Sequence, residues 1–346
     1  MDVRVLVTGH RGYIGAVMVP HLQARGHDVI GLDTGLFEDC DFGSPPAAVP
    51  TLQLDIRDVT AASLPAVDAV VHLAAVSNDP LGQLDPDTTY AINHRATVSL
   101  AEAAKDAGIA RFVFASSCSL YGAAGSEPVT EEAAFAPVTA YGHSKVLAEQ
   151  GLSALADDSF SPTYLRNATA YGASPRLRCD IVVNNLVGWA VSTGQVRLQS
   201  DGSPWRPLVH VQDICAAVSA SLDAPREDVH DAAFNVGRDE DNLQIRDIAL
   251  LVEQVVAGSR VTFAEGATSD KRDYRVDFAK IGKELPQFQP SWTVARGVSE
   301  LYEAYQRIGL SFEDLTGPRF VRLARVEQLL ASQEITPSLR RQAAHD

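Results

Sequence analysis

Short apolar segments alternate with longer helix-like segments over roughly the first third of the chain. The apolar segments are too short for typical helices and rich in Val, Ile and Phe, which favours strands buried on both faces of a parallel sheet. The predicted strands are Val3–Val7, His27–Leu32, Ala69–Leu73 and Arg111–Ala115, and the predicted helices between them are Tyr13–Arg25 and Thr88–Ala107. Because strands and helices alternate, the pattern predicts an α/β fold with a doubly wound parallel sheet.

The pattern changes near residue 170, where longer irregular stretches such as Ser200–Pro207 begin. This change predicts a second, smaller α/β domain that binds substrate. The strand-like segment Ala233–Val236 is expected to return to the first sheet. The predicted divisions are residues 1–170 for the first domain, with returning segments near 207–237, residues 171–310 mainly for the second domain, and residues 311–346 for a helical tail.

Composition excludes several classes of protein. The 346 residues carry a formal net charge of −15, whereas a nucleic-acid-binding domain is normally basic. The four cysteines are scattered without a C-x-x-C pair, which fits neither a disulfide framework nor a metal site: Cys40, Cys118, Cys179 and Cys215. The sequence reaches its first predicted strand at once and has no apolar run of ~18 residues. We therefore expect a cytoplasmic protein with no nucleic-acid, membrane or metal partner.

A glycine-rich turn follows the first predicted strand and opens the first predicted helix. Such a turn lets the backbone approach a pyrophosphate, whose charge then faces the helix N-terminus. The second predicted strand ends in Asp33, near the spacing of ~20 residues expected for a carboxylate that binds a ribose diol. A carboxylate here repels a 2′-phosphate and favours NAD over NADP. The residues predicted to bind the cofactor are Gly9, Arg11, Gly12, Tyr13, Ile14, Gly15 and Asp33.

Two alternatives to this interpretation stay open. A glycine-rich turn can be purely structural, with no ligand. Arg11 lies within the turn, and a basic residue there is also able to bind a 2′-phosphate.

A tyrosine and a lysine are four residues apart, at Tyr141 and Lys145, so they share one face of a helix. A tyrosine with its usual pKa of about 10 needs help to exchange protons near neutral pH, and a neighbouring lysine cation favours the phenolate. Ser116, Ser117 and Ser119 lie at the end of a predicted strand, where the sites of such sheets are found. A hydroxyl there is suited to bind a substrate oxygen beside Tyr141. A solvated helix face also produces the Y-x-x-x-K spacing often.

Taken together, these motifs resemble the extended short-chain dehydrogenase/reductase family with its Rossmann domain, and in particular the NAD-dependent nucleotide-sugar epimerase/dehydratase branch. The resemblance runs from Val3 to about Leu301 and includes Arg206–Asp213, similar to the family's R-D-Y-I-H-V-x-D, and Phe234–Gly237, similar to its Y-N-V-G. It implies NAD as cofactor and a nucleotide-diphosphate sugar as substrate. The further cofactor-binding residues that it implies are Asp55, Ile56, Leu73, Ala74, Ala75, Asn93 and Ser116, together with Tyr141 and Lys145.

The resemblance also implies a mechanism. Tyr141 removes the proton of a sugar hydroxyl while NAD takes a hydride, Ser117 orients the hydroxyl, and Lys145 supports the phenolate. Sugar dehydratases of the family carry Asp and Glu where this chain has Cys118 and Ser119. UDP-galactose 4-epimerases carry small or hydroxyl residues there, so 4-epimerisation is the best match.

Three other functions stay open: a dehydratase, a ketoreductase and a non-catalytic regulator. Cys118 is either a small buried thiol or an acid/base that acts on an adjacent sugar carbon. In the second case the enzyme is a ketoreductase, or a dehydratase in which Cys118 acts with Glu131 or Glu132. A non-catalytic NAD-binding regulator has no need of an intact Ser117, Tyr141 and Lys145.

Substrate contacts and assembly follow from the resemblance as well. The residues that it implies for nucleotide-sugar binding are Ser77, Ser117, Ser119, Thr169, Asn185, Arg206 and Arg272. Thr169 replaces a sugar-contacting Asn of the family, so the identity of the sugar stays open. A homodimer is expected through the alanine-rich helices Thr88–Ala107 and Tyr141–Leu155, which pair with their copies in the family.

Overall fold

The computed structural model describes residues 3–77, 82, 85–122, 127–264 and 273–342. The strands are β1 (Arg4–Thr8), β2 (Asp28–Asp33), β3 (Thr51–Gln53), β4 (Ala69–His72), β5 (Arg111–Ser117), β6 (Ser161–Asn167), β7 (Thr169–Tyr171), β8 (Gln195–Leu198), β9 (Trp205–His210), β10 (Ala232–Val236), β11 (Asn242–Gln244) and β12 (Arg260–Phe263).

The α-helices of the described residues are α1 (Gly15–Ala24), α2 (Pro86–Tyr90), α3 (Thr97–Asp106), α4 (Ala140–Ser153), α5 (Val182–Thr193), α6 (Val211–Asp223), α7 (Arg226–Val229), α8 (Ile245–Val255), α9 (Ala279–Glu284), α10 (Val294–Ile308), α11 (Phe312–Thr316) and α12 (Arg322–Ala331). A π-helical segment, Ala91–Ala96, joins α2 to α3. None of the helices in the described residues is long and apolar enough to cross a membrane.

The central sheet has seven strands in the order β10-β6-β5-β4-β1-β2-β3, and all neighbouring pairs are parallel. Its middle strands are apolar because they are covered on both faces, as Val5, Leu6 and Val7 of β1 are fully buried. The chain leaves β1 in one direction to β2 and later returns on its other side at β4. The predicted doubly wound Rossmann sheet is confirmed, and its topological switch point lies between β1 and β4.

Two strands of this sheet were not predicted. β3 has only three residues, and β6 has the sequence Ser-Pro-Thr-Tyr-Leu-Arg-Asn, which lacks a continuous apolar run. All seven residues of β6 are nevertheless buried, including Arg166 and Asn167. The guanidinium of Arg166 and the amide nitrogen of Asn167 donate to partners in distant segments, which a local sequence pattern cannot reveal.

A second lobe begins after β6. It contains the sheet β11-β9-β7 and the pair β12-β8, packed around α5, α8 and α10 with an apolar core of its own. β10 pairs with β6, so Ala233–Val236 returns to the central sheet as predicted. The domain boundaries near residues 170 and 310 stay predictions.

The C-terminal arm, defined here as residues 311–342, contains the helices α11 and α12 and crosses back to the first lobe. Val326 and Leu329 of α12 pack with Val76, which follows β4, and with Leu36 and Phe37, which follow β2. The predicted helical tail therefore lies against the carboxyl ends of two central strands.

Candidate active site

A cavity of about 630 Å³ opens at the carboxyl ends of β1, β2, β4 and β5, between the two lobes. Most of the predicted site residues line it. The predicted residues among its lining are Gly9, Gly12, Tyr13, Ile14, Gly15, Asp33, Asp55, Ile56, Leu73, Ala74, Ala75, Ser77, Ser116, Ser117, Ser119, Tyr141, Lys145, Thr169, Asn185 and Arg206. Arg11, Asn93 and Cys118 are not part of this lining, and Arg272 lies outside the described residues.

The glycine-rich turn is packed too closely for larger residues. A Cβ atom on Gly15 would lie 2.2 Å from the carbonyl oxygen of Gly9, and a Cβ atom on Gly9 would lie 2.8 Å from the backbone nitrogen of Ala74. Gly9 also has a φ of +70°, which L side chains rarely adopt. The backbone thus lies directly at the cavity wall, with the N-terminus of α1 behind it, as a diphosphate requires.

Asp33 is held in place at the end of β2. Its carboxylate accepts hydrogen bonds from the backbone N–H of Arg11 at 3.0 Å and of Gly35 at 2.8 Å. The guanidinium of Arg11 instead bonds to Glu38 and to Oε1 of Gln53. The alternative in which Arg11 binds a 2′-phosphate thus loses support, because its side chain is held by Glu38 and Gln53.

Asp55 and Ile56 border the adenine end of the predicted cofactor site. Asp55 binds Arg57 through both carboxylate oxygens, at 2.9 and 2.6 Å. Burial opposes ionisation of Asp55, but its hydrogen bonds with Arg57 keep its pKa below the usual value. Asn93 is structural: its amide donates to the carbonyl of Val76 and accepts from the N–H of Val76, which fixes the loop after β4.

Tyr141 and Lys145 lie on the first turns of α4, which Thr139 caps by accepting from the N–H of Gly142. Nζ of Lys145 donates to the carbonyl of Ala115 at 2.7 Å and lies 5.8 Å from the centre of the Tyr141 ring. Burial lowers the pKa of Lys145 to about 7. The amine is thus held beside Tyr141 at the edge of the cavity.

The lowered pKa of Lys145 predicts a pH effect on stability. The amine of Lys145 keeps its proton up to about pH 10.5 in the unfolded chain but releases it near pH 7 in the folded chain. Between these two values the unfolded chain binds more protons, so the free energy of unfolding rises by about 1.4 kcal/mol per pH unit. Lys145→Met removes this contribution. We expect the variant to exceed the wild type in stability at pH 6 to 7 and to lose that advantage by pH 10, in urea unfolding of cofactor-free protein. Lys283→Met, at an exposed site on α9, is the matched control and should show no such trend.

The residues at the end of β5 and directly after it differ in whether they face the cavity. Ser117 bonds to Ser119 at 3.1 Å between their hydroxyl oxygens, and both line the cavity. Ser116 lines the cavity too, but its hydroxyl donates to Glu149 on α4. Cys118 points into the core, is 1% exposed, and donates its S–H to the carbonyl of Arg166 at 3.1 Å.

The catalytic role considered for Cys118 is therefore not supported by its position. Burial raises the pKa of its thiol well above the usual range. Oε1 of Glu131 accepts from the backbone N–H of Asn235, and neither Glu131 nor Glu132 is part of the cavity lining. These three residues do not form an acid/base group in the cavity.

Cys118→Ala tests this conclusion. We expect turnover within about threefold of wild type, because the thiol does not reach the cavity, with a modest loss of stability from the smaller side chain. The rate is measured with the sugar nucleotide that the protein converts in a panel of UDP-, dTDP-, GDP- and CDP-sugars. Cys215→Ala, at an equally buried thiol on α6, is the control. A loss of activity confined to Cys118→Ala would return the thiol to the reaction.

A buried ion pair behind the site escaped the sequence interpretation. Arg166 on β6 binds Glu149 on α4 at 2.7 Å, and both side chains are 6% exposed. Arg166 also donates to the hydroxyl of Tyr121 and the carbonyl of Glu131. Glu149 lies four residues after Lys145, but nothing local in the sequence identifies its partner. The pair joins the helix that carries Tyr141 to the central sheet.

The second lobe forms the side of the cavity where the sequence predicts substrate contacts. Thr169 on β7, Asn185 on α5 and Arg206 on β9 converge on it. Asn185 donates to the carbonyl of Cys179, and Arg206 to the carbonyl of Trp205. An amide, a hydroxyl and a buried guanidinium thus line the same cavity as the glycine-rich turn.

A model of the NAD-dependent epimerase/dehydratase family matches residues 5–237, more than half of the chain. The chain belongs to this family. The UDP-glucose 4-epimerase of Mycolicibacterium smegmatis is 28% identical over 313 residues, which cover 88% of this chain and 99% of that protein. Among solved structures, MoeE5 in complex with UDP-glucuronic acid and NAD has a TM-score of 0.77 at 25% identity, covering 89% of this chain and 99% of that one. DesIV of Streptomyces venezuelae, a dTDP-glucose 4,6-dehydratase with NAD bound, has a TM-score of 0.76 at 25% identity over 90% of this chain and 99% of its own.

Family membership confirms the predicted resemblance and makes NAD the cofactor. The residues present fit it: the turn at Gly9 and Gly15 gives backbone access to a diphosphate, and Asp33 offers a fixed carboxylate for ribose hydroxyls. Tyr141 and Lys145 line the same cavity.

Proposed function

We propose that the protein is an NAD-dependent nucleotide-sugar 4-epimerase that works through a transient 4-keto sugar. The observation that carries the proposal is one cavity that contains the glycine-rich turn, Ser117, Tyr141 and Lys145 together. The burial of Cys118 also supports it, because no acid/base pair then stands where the family's dehydratases have theirs.

In this proposal Tyr141 carries the proton. Its phenolic oxygen takes the proton of the sugar hydroxyl during oxidation. It returns the proton after the keto sugar has rotated in the cavity and presents its other face for reduction. Bound NAD supplies the hydride acceptor and donor. Ser117, fixed by Ser119, hydrogen-bonds the reacting oxygen, and Lys145, anchored on the carbonyl of Ala115, favours the phenolate when charged.

The proposed substrate is a nucleotide-diphosphate sugar. With a net charge of −15, the chain attracts a diphosphate only through local cations. Arg206 is buried in the cavity wall near Asn185 and Thr169, and a guanidinium suits bidentate contact with phosphate oxygens. Arg272 is proposed as a second diphosphate ligand from outside the described residues. The relatives named for UDP-glucose and UDP-glucuronic acid support this substrate class.

A panel of UDP-, dTDP-, GDP- and CDP-sugars tests the proposal, with products analysed by mass and by NMR. We expect one sugar to give a product of unchanged mass and inverted configuration at C4. Loss of one water would indicate a dehydratase and contradict the proposal. No conversion of any sugar by an NAD-loaded protein would favour a non-catalytic regulator. Tyr141→Phe, assayed in parallel, excludes contaminating activity.

We also propose a homodimer formed through α3 and α4. Leu147 on α4 is 37% exposed and lies on the same exposed face of the helix as His143 and Gln150, where a second copy of the chain is able to contact it. We expect light scattering at micromolar concentration to give twice the chain mass, and Leu147→Asp to shift the protein toward monomer. Leu250→Asp, at an exposed leucine on α8, is the control and should leave the mass unchanged. A monomeric wild type would contradict the dimer.

A further inference from the structure

The C-terminal arm reaches the cofactor cavity, although it lies beyond the residues that the family model matches. Arg322, the first residue of α12, and Leu339 are both part of the cavity lining. The arm therefore contributes side chains to the site as well as covering it from outside.

Arg322 lies with Arg178 in the wall of the cavity, and we call these two residues the arginine pair. The side chain of Arg178 is 8% exposed, and Arg322 is 4% exposed. Arg178 donates from Nε to Asp180 at 2.8 Å and from Nη1 to the hydroxyl of Ser77 at 3.1 Å. Arg322 donates from Nη2 to the carbonyl of Arg176 at 3.1 Å.

Each member of the arginine pair keeps a buried donor without a hydrogen-bond partner among the described residues: Nη2 of Arg178 and Nη1 of Arg322. Asp180 is the carboxylate whose charge acts on both guanidinium groups. One carboxylate beside two guanidinium groups leaves surplus positive charge in a buried place. Burial, and then repulsion from Arg178, lowers the pKa of Arg322 to about 10. Such a site favours an anion from outside the chain.

The segment that precedes Arg178, residues 172–177, is hydrogen-bonded to the glycine-rich turn. The hydroxyl of Tyr13 donates to the carbonyl of Gly172 at 2.8 Å, and the hydroxyl of Ser174 donates to the carbonyl of Tyr13 at 2.7 Å. These two bonds hold the segment that leads to Arg178 against the turn where the diphosphate approaches the backbone.

Arg322 is held beside the loop that follows β2. Its guanidinium lies 4.1 Å over the ring of Phe37, on the loop that follows Asp33 and β2. The segment of Arg178 thus contacts the glycine-rich turn, and Arg322 contacts the loop after β2. These two segments flank the diphosphate of a dinucleotide bound at such a turn.

Contacts farther along the arm close the adenosine end. Arg57 donates to the carbonyl of Ser338 at 2.7 Å, and Arg340 pairs with Asp58 at 2.5 Å. Leu339 lies between these contacts at the cavity wall. The arm is thus held on the first lobe at two positions, at α12 and beside Asp58.

We propose that Arg178 and Arg322 bind the diphosphate of NAD, and that the C-terminal arm is an integral part of the cofactor site. The diphosphate or a carboxylate of the sugar nucleotide would offer the arginine pair the same kind of oxyanion as the diphosphate of NAD. We assign the pair to NAD because of its position beside the turn and the loop after β2. The assignment depends on NAD as cofactor and not on the proposed 4-epimerisation.

Arg322→Gln in the full-length protein tests the assignment, with Arg325→Gln as the matched control one turn along α12, outside the cavity lining. NAD affinity of cofactor-free protein is measured by calorimetry, and affinity of NAD-loaded protein for UDP and UDP-glucuronic acid by the same method. We expect Arg322→Gln to bind NAD at least about tenfold more weakly and the control to stay within about twofold of wild type. Arg322→Lys, which keeps the charge, should recover part of the loss.

The other outcomes overturn the assignment. Unchanged NAD affinity together with weakened UDP or UDP-glucuronic acid binding would indicate that the arginine pair binds an anionic group of the substrate and not NAD. Equal affinities of Arg322→Gln and Arg325→Gln for all three ligands would give the arginine pair a structural role only. Thermal unfolding without ligand distinguishes a folding defect, because removing a surplus buried charge should not lower the melting temperature of Arg322→Gln below that of the control.

Discussion

Tyr141→Phe is expected to lower the turnover number at least about 100-fold while NAD affinity stays within about twofold of wild type. The substitution removes one hydroxyl and leaves the ring, so packing on α4 and the position of Lys145 stay nearly unchanged. General acid–base catalysis is lost because the phenolic oxygen is the only part of the residue that exchanges a proton. Turnover is measured with the sugar found in the panel, and bound NAD by absorbance and calorimetry.

The control for this experiment is Tyr302→Phe on α10, where the hydroxyl accepts a hydrogen bond from Gln306 away from the cavity. It should retain full activity. Near-normal turnover of Tyr141→Phe on the true substrate would contradict the assignment of the proton carrier, whatever the fold. Ser117→Ala is expected to cost less, because it removes an orienting hydrogen bond and leaves the proton carrier in place.

Glu149→Gln is expected to lower the free energy of unfolding by about 3–5 kcal/mol, because it leaves the guanidinium of Arg166 buried without a counter-charge. The same change weakens the hydrogen bond from Ser116 to position 149. Urea unfolding at neutral pH gives the value, and Glu102→Gln, at an exposed glutamate on α3, is the control.

A double variant separates charge from packing. Glu149→Leu combined with Arg166→Met removes both charges, and we expect it to be more stable than Glu149→Gln alone. If Glu149→Gln loses no more stability than Glu102→Gln, the ion pair does not join α4 to the sheet as described. Because α4 carries Tyr141 and Lys145, we also expect the weakened pair to reduce activity.

Much of the cofactor half could be predicted because its signals are local. The strands at Val5 and Val71 are apolar runs, the turn at Gly9 admits only glycine, and Asp33 follows its strand at a spacing that the geometry of the βαβ unit sets. Tyr141 and Lys145 were found because one turn of helix brings them to the same face.

The remainder depends on contacts between distant residues. β6 is a central strand whose charged Arg166 is acceptable only because Glu149 reaches it from α4. Cys118 could not be assigned to a side from sequence, because β5 ends at Ser117 and the next residues form a short 3₁₀ helix that breaks strand alternation. Arg322 gave no signal as a site residue, since only the fold brings it beside Arg178.

The π-helical segment Ala91–Ala96 has a consequence for evolution of the loop after β4. A π turn is one residue wider than an α turn, and it places Asn93 where its amide bonds both the N–H and the carbonyl of Val76. A deletion of one residue that converts this segment to regular α-helix would rotate Asn93 away from Val76 by about 100°. The preceding loop, with Ser77 at the cavity, would then lose its register. We therefore expect this helix to tolerate substitutions better than deletions of single residues.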